Sequence, residues 1–529
     1  MSTATFTDQA FTLEEKDLVT IESGNINNDN QPKVVLSKNQ FIIVIIALIL
    51  TIFIAALDNT IIGTSLNTIT SEFDALDQIS WVATSYLLTS TAFQPLYGKF
   101  SDIFGRKLTT LFALSIFLIG SILCGASTNI IMLIVSRAIA GVGGGGLISL
   151  SVIIISDIVV LEKRGLYTGM VGANFAVASV VGPLLGGYLT ESVSWRWCFY
   201  INVPICIVAM IVIAKFITFP SENQNLRQKL KRVDYLGSIS ILAFTILLVL
   251  ALNWGGQEYP WNSAVIISLF ILCFISLALF IVLQWKVSKE PIIPGHVLVR
   301  NVISADLTAF FNGCIFFATV VYLPIYYQIV HKESIIQSGL ELLSTMSGLV
   351  FFSITSGIFI VKTGTYRLLS ISGTFIGLTG VILLGVLMRN DISHAELLGF
   401  SLMIGVGVGL CLQTNTIVSQ AAVDLKDAAI VTSLTSFNFS LGGVVGIAVL
   451  GSVFQNSLTS SLTREVPEVN IQQLVKDSSY LISFNEEIIQ RVVGCYVTAF
   501  RTLFLGGIAF FVLSFISTLF LKHIPLKKK

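Results

Sequence analysis

Charge is what this chain has least of. Only 12% of its 529 residues are Asp, Glu, Lys or Arg, against 54% hydrophobic. Soluble domains carry roughly 25% charged residues, so with a mean hydropathy of +0.86 the polar side chains cannot coat a water-soluble globule this large. Histidine is scarce too. The four present (His296, His331, His394 and His523) are scattered, which leaves no metal cluster legible in the sequence. The seven cysteines form no C-x-x-C pair and mostly sit inside or beside apolar runs. That excludes a disulfide framework or a zinc ribbon and fits thiols packed within a membrane protein. No nucleophile–base constellation and no cofactor motif appears, so enzymatic activity is not expected, and neither is a metal, a cofactor or a nucleic-acid partner.

Long apolar runs fill the chain almost end to end. A helix needs about 20 apolar residues to cross the hydrocarbon core. Such runs predict helices near 41–63, 79–98, 109–126, 130–155, 166–190, 197–218, 235–253, 263–285, 303–329, 339–361, 368–388, 397–422, 428–455 and 497–521. The fold class is an all-α membrane protein with fourteen spans. Residues 1–39 are polar, with six acidic side chains against three lysines; they read as a disordered tail and lack the pattern of a cleaved signal peptide. An even number of spans puts both termini on one side. With the termini cytoplasmic, the cytoplasmic segments hold 22 Lys and Arg and the opposite side 6, which selects that orientation.

The predicted units are a six-helix bundle over 40–218, basic linkers with two extra helices over 219–301, and a second six-helix bundle over 302–521. A non-cytoplasmic loop at 456–491 lies inside the last unit, and a basic tail follows at 522–529. Gly98 and Gly105 stand seven residues apart just before Arg106, and Gly357 and Gly364 repeat that spacing just before Arg367. Setting the two extra helices aside, as a pair expected to lie apart from both bundles, puts these segments at equivalent places in two halves. Duplicated halves are a common build of secondary transporters.

Several residues stand out physically. Asp58 interrupts an apolar run, where burial favours its neutral form, so it is a candidate for taking and releasing a proton. Arg137 enters the membrane from the other side and, at about 1.5 Å per residue, reaches a similar depth. The two are expected to face one central cavity and to couple through protonation; a purely structural ion pair is the competing reading. In Gly98–Lys107, Gly98 is suited to end a helix in a left-handed conformation. Asp102 is suited to accept amides at the next helix start and to pair with Arg106, giving with Gly105 and Lys107 a latch that holds in one conformation and breaks in another. Glycines at 141, 143–146, 182, 186 and 187 permit close helix packing, and Pro183 permits a bend. Asp306, Asn312, Gln413 and Asn415 are the polar candidates of the second half. Asp306 is equally readable as a substrate contact or as a residue at the aqueous boundary.

Five motifs in order carry a family resemblance: Leu57-Asp58-Asn59-Thr60-Ile61-Ile62, Gly98 to Lys107, Arg137 to Gly144, Gly182-Pro183-Leu184-Leu185-Gly186-Gly187, and Trp195-Arg196-Trp197 with Asn202-Val203-Pro204. With them the chain resembles the major facilitator superfamily, in its fourteen-helix drug:H⁺ antiporter branch, from about Phe41 to Leu521. Gly169 fits that branch's antiporter motif, while Ala178 stands where the motif has a glycine. The run from Trp81 to Gly98 is similar to fungal vacuolar basic amino acid transporters. The resemblance implies a major facilitator fold of two six-helix bundles plus two helices, working as a monomer in the lipid bilayer. It implies a proton-coupled antiporter carrying a small cation, basic amino acids foremost, into the vacuole. The alternatives are a plasma-membrane exporter of toxic or multidrug cations and a non-transporting nutrient sensor on a transporter scaffold.

Overall fold

The computed structural model describes residues 37–73, 78–159, 161–217, 225–256, 258–389, 391–467 and 485–523. Backbone N–H and C=O groups among apolar side chains must find partners within their own segment, and the apolar runs accordingly become helices. In chain order these are α1 Lys38–Ile61, α2 Leu66–Phe73, α3 Ile79–Phe104, α4 Arg106–Gly125, α5 Ile130–Ile158, α6 Leu161–Ser192, α7 Trp197–Tyr200, α8 Asn202–Phe216, α9 Leu226–Lys231, α10 Tyr235–Trp254 and α11 Ala264–Lys286. The second half continues with α12 Arg300–Val330, α13 Ile335–Glu341, α14 Leu343–Thr363, α15 Arg367–Leu387, α16 His394–Ala421, α17 Ala428–Glu465 and α18 Glu486–Leu519. No strand occurs among the described residues beyond one isolated bridge, Gly255 to Tyr259.

Side chains set the helix starts. Ser37 with Gln40 and Ser393 with Glu396 form reciprocal capping boxes, and Asn129, Asp234, Ser263 and Asn485 each accept an amide of the first turn they precede. Each such cap contributes about 1 kcal/mol. The first helix thus begins at Lys38, inside the segment read as a tail; residues 1–36 lie outside the described residues.

Among the described residues, twelve helices are long and apolar enough to cross a membrane. The sequence-based spans at 79–98 and 166–190 fall on the continuous helices α3 and α6, and α3 is not among those twelve. In α3 the apolar content is diluted by Thr84, Ser85, Thr89, Ser90, Thr91 and Gln94. Two expected boundaries move. α17 runs on to Glu465 and α18 starts at Glu486, so both ends of the predicted 456–491 loop are helical; the amphipathic stretch 471–475 lies outside the described residues. Lys527 to Lys529 also lie outside, whereas Lys522 is fixed by Asn301 and Tyr366, both donating to its carbonyl.

α1, α3, α4, α5, α6 and α8 pack into one bundle, and α12 with α14 to α18 into another. Their cores are separate clusters, one around Leu48, Phe117, Leu147 and Ile153 and one around Leu323, Leu450, Phe500 and Phe504. The halves meet where α6 lies against α14 and α16, and where α3 lies against α17. The extra pair, α10 and α11, does not lie apart as expected: α10 packs on α3 of one half and α17 of the other. Val249, Leu252, Leu87 and Val444 form that seam. On α11, Ile271, Phe274, Ile275 and Trp285 are exposed, an apolar face suited to hydrocarbon.

Candidate functional site

The centre of the N-terminal half is polar and dry. Arg137 of α5 donates from Nη1 to Asp58 Oδ2 of α1, with side chains 1% and 0% exposed. Asn202, the first residue of α8, donates from Nδ2 to the other Asp58 oxygen at 2.9 Å. Arg137 Nε donates to the Val82 carbonyl at 3.2 Å, and the guanidinium lies 4.3 Å from the Tyr86 ring centroid. Three helices thus meet at one carboxylate, and α3 joins them through Arg137. The sequence explains why they can: at Gly144 an added Cβ would collide with the Tyr86 hydroxyl, so only glycine lets α3 bring that ring under Arg137. The expectation that this pair faces a cavity between the halves is not met in this conformation. Both side chains are enclosed within their own bundle.

The four polar candidates of the C-terminal half are buried in theirs. Thr435 of α17 donates to Asp306 Oδ1 at 2.8 Å and also lies 3.3 Å from Ser419 Oγ. Ser514 donates to Asn312 Oδ1 at 2.8 Å. Asn415 Oδ1 and Asn312 Nδ2 are buried without a hydrogen-bond partner, and Gln413 is buried as well. Asp306 is 7% exposed, which removes the aqueous-boundary reading for this conformation. The structure therefore keeps two polar sets, one per half.

The Gly98–Lys107 segment is not a loop. α3 continues through Gly98 to Phe104, and only Gly105 leaves the helix, with φ 95°, before α4 begins at Arg106. Gly364, φ 67°, makes the equivalent break between α14 and α15, so the repeat seen in the sequence marks two helix breaks. Gly98 serves close approach instead: an added Cβ would sit 2.6 Å from Ser433 Oγ and 3.0 Å from the Ala429 carbonyl of α17. Asp102 lies inside α3 and so does not cap α4. Arg106 gathers Asp102 Oδ1 at 2.5 Å, Ser101 Oγ at 2.6 Å and Asp157 Oδ2 at 2.8 Å. Lys107, one residue on, is half-buried. Asp157, at the end of α5, is the Arg106 partner that the motif does not contain; a carboxylate closing the apolar run Val152 to Val159 was its signal.

Antiporter-motif positions pack α6 on its neighbours. Gly182 and Gly186 face Thr60 and Ile61 of α1, and Thr60 donates to the Ala178 carbonyl at 2.9 Å. Gly169 sits against Ile354 of α14, at the meeting of the halves. Gly187 has no neighbour within reach of a Cβ, so the packing role expected of it fails. Pro183 lies inside the continuous α6. On the face opposite the termini, Trp195 Nε1 donates to Glu72 Oε2 at 2.6 Å and Arg196 Nη2 to Glu72 Oε1 at 2.9 Å. Arg196, then Trp195, hold the Glu72 carboxyl below its ordinary value. On the termini-bearing face Glu290 pairs with Arg232 at 2.8 Å and Lys99 at 3.3 Å. Burial pushes the Glu290 carboxyl up, but Arg232 and Lys99 outweigh it and hold it low.

The profile of the Major Facilitator Superfamily matches residues 48–447. The MFS-type efflux pump MFS1 of Arthroderma benhamiae is 38% identical over 439 residues, covering 82% of each protein. Efflux pump roqT of Penicillium rubens is 36% identical over 489 residues, 91% of this chain and 90% of its own. Efflux pump aflT of Aspergillus parasiticus is 36% identical over 447 residues, 83% and 87%. Among solved structures, a bacterial homolog of the human lysosomal transporter Spinster superposes with TM-score 0.56 at 16% identity, over 92% of this chain and 98% of that one. The human organic anion transporter MFSD10 superposes with TM-score 0.55 at 15% identity, over 89% and 99%. These structural likenesses establish the fold.

Proposed function

The chain belongs to the major facilitator superfamily, and from that premise we propose that this membrane transporter is a proton-coupled exporter of small organic molecules. The observation that carries the coupling is the Asp58–Arg137–Asn202 cluster, buried in the N-terminal half. Moving a proton onto Asp58 removes the charge that holds Arg137. A buried guanidinium left without its counter-ion is costly, so protonation favours a rearrangement that re-solvates it. That rearrangement is the alternating access step, with the Arg106 latch closing the termini-bearing face in one of the two states. α10 and α11 then stand as two additional spans, giving fourteen, with both termini cytoplasmic.

For the substrate, the similar fungal proteins are named efflux pumps. This supports export across the plasma membrane better than storage of basic amino acids in a vacuole, the reading that rests on the Trp81 to Gly98 run alone. Aromatic and amide groups suit an amphipathic organic cargo, and Asn312 and Asn415 have buried polar atoms free to meet one.

The test is reconstitution of the purified chain in proteoliposomes with an imposed pH gradient. A fluorescent lipophilic cation should move against its gradient and stop when a protonophore collapses the pH difference. Accumulation of labelled lysine or arginine, with no movement of lipophilic cations, would restore the amino acid reading. Absence of any proton-linked flux would point to a sensor.

A further inference from the structure

The C-terminal half carries, on the face opposite the termini, a cluster that proton-coupled export does not use. Glu333 lies in the turn after α12, Glu341 ends α13, and His394 begins α16. We propose that Glu333, Glu341 and His394 form a binding site for a divalent transition-metal ion, Zn²⁺ fitting best, which ties the outer ends of α12, α13 and α16 together.

The geometry comes first. His394 Nδ1 lies 3.3 Å from Glu333 Oε1 and 3.5 Å from Glu341 Oε1, and all three ligand atoms fall within 4.8 Å of one another. Zinc bonds of about 2.0–2.2 Å in a tetrahedral set place neighbouring ligand atoms about 3.3–3.6 Å apart. The side chains need little movement to close on an ion.

Charge argues the same way. The Glu333 and Glu341 side chains are only 10% and 12% exposed, while His394 is 48% exposed and leaves a path from solvent. Among the described residues no lysine or arginine pairs with either carboxylate; His394 is their shared ionic partner. Two sequestered carboxylates repel each other, and a dication answers both at once. An imidazole among the ligands selects zinc or another first-row metal over magnesium and calcium, which prefer all-oxygen shells.

A second observation is independent of these ligands. Tyr327, in the last turn of α12, is 0% exposed, and its hydroxyl is buried with no hydrogen-bond partner. Its ring stacks on His394 at 6.1 Å and 19°, and the charges of Glu341 and Glu333 both act on its hydroxyl. Native folds rarely strand such a group, and one that is stranded marks a place for an ion or its bound water. His331 Nε2 is unpartnered as well, on a ring 4.4 Å from that of His394. Groups of this kind orient ligands and metal-bound water from outside the coordination shell.

The rival arrangement is a protonated His394 bridging two carboxylates with no metal. Full-length protein in detergent, stripped with chelator and titrated with ZnCl₂ by calorimetry, separates the two. One equivalent should bind, raise the melting temperature, and lose both effects in Glu341→Gln and His394→Ala, removal of a direct ligand weakening affinity by at least the roughly 10–100-fold seen for outer partners. No binding by the parent, or unchanged binding by both variants, overturns the site. Because the variants could fail to fold, Co²⁺ added to the unaltered chain gives a second readout. An intense visible band of tetrahedral Co²⁺, displaced by Zn²⁺, is expected, and its absence speaks for the metal-free triad.

Discussion

Asp58 and Arg137 stand 79 residues apart in the chain and hold each other as an ion pair out of contact with water. A pair in that setting is weak evidence for stability as such, since its desolvation offsets much of its attraction. Removing one partner is different. Asp58→Asn leaves Arg137 with no anion and is expected to destabilise the protein by about 3–5 kcal/mol, read as a fall in melting temperature. If Asp58 carries the proton, concentrative transport driven by a pH gradient should vanish in this variant, while downhill exchange of substrate persists. Concentration of substrate at the parental rate by Asp58→Asn would end the coupling assignment.

The Arg106 latch makes a second prediction. Its Nε bond to Asp157 joins the start of α4 to the end of α5, and its Nη1 bond to Asp102 joins α4 to α3. A hydrogen bond to a charged group contributes about 1.5–3 kcal/mol. Asp157→Asn should therefore shift a two-state equilibrium roughly tenfold or more away from the state shown. Ser433→Cys, buried opposite Gly98, is a suitable reporter, because all seven native cysteines are buried. Its maleimide labelling should accelerate when Asp157→Asn is added. Equal labelling rates would mean that the triad is structural.

Gly98 gives a third. The Ala429 carbonyl 3.0 Å from its built Cβ is backbone and cannot swing away, whereas Ser433 Oγ at 2.6 Å belongs to a side chain. Gly98→Ala is expected to push α3 from α17 and lower turnover without unfolding the protein. Adding Ser433→Gly should recover part of the loss, and Gly98→Leu should exceed what that second change can recover. Parental turnover in Gly98→Leu would show that this contact does not matter to the cycle.

Much of this was legible because the membrane simplifies the problem. With backbone groups obliged to pair internally, apolar runs from Phe41 to Leu521 could only be helices, and the charges at Asp58 and Arg137 stood out against them. What the sequence hid was everything set by approach in three dimensions. Asn202 stood out only as part of a family motif, yet it is the second donor to Asp58. Gly98 looked like a helix end, because glycine's freedom and glycine's lack of bulk leave the same letter. His331 and His394 are far apart in the chain and adjacent in space, brought together by the packing of α12 on α16. α10 was placed apart because no sequence pattern reports which neighbour an all-round apolar helix chooses.

The last prediction concerns pH. Glu72 on α2 accepts from Arg196 and Trp195, and these contacts lower its carboxyl below the ordinary value of 4.5. A carboxyl depressed in the folded state adds stability above its unfolded value, and that stability is lost as pH falls through the folded one. The parent should thus melt above Glu72→Gln at neutral pH, with the gap closing only below about pH 4.5. Both partners of the ion pair are about a third exposed or more, so solvent screening holds the effect to at most about 1 kcal/mol. Melting curves of the two proteins across the acid range decide the matter. A gap that closes between pH 5 and 8 instead would assign the titration to a histidine, and a gap that does not change with pH would mean that the charge on Glu72 contributes nothing.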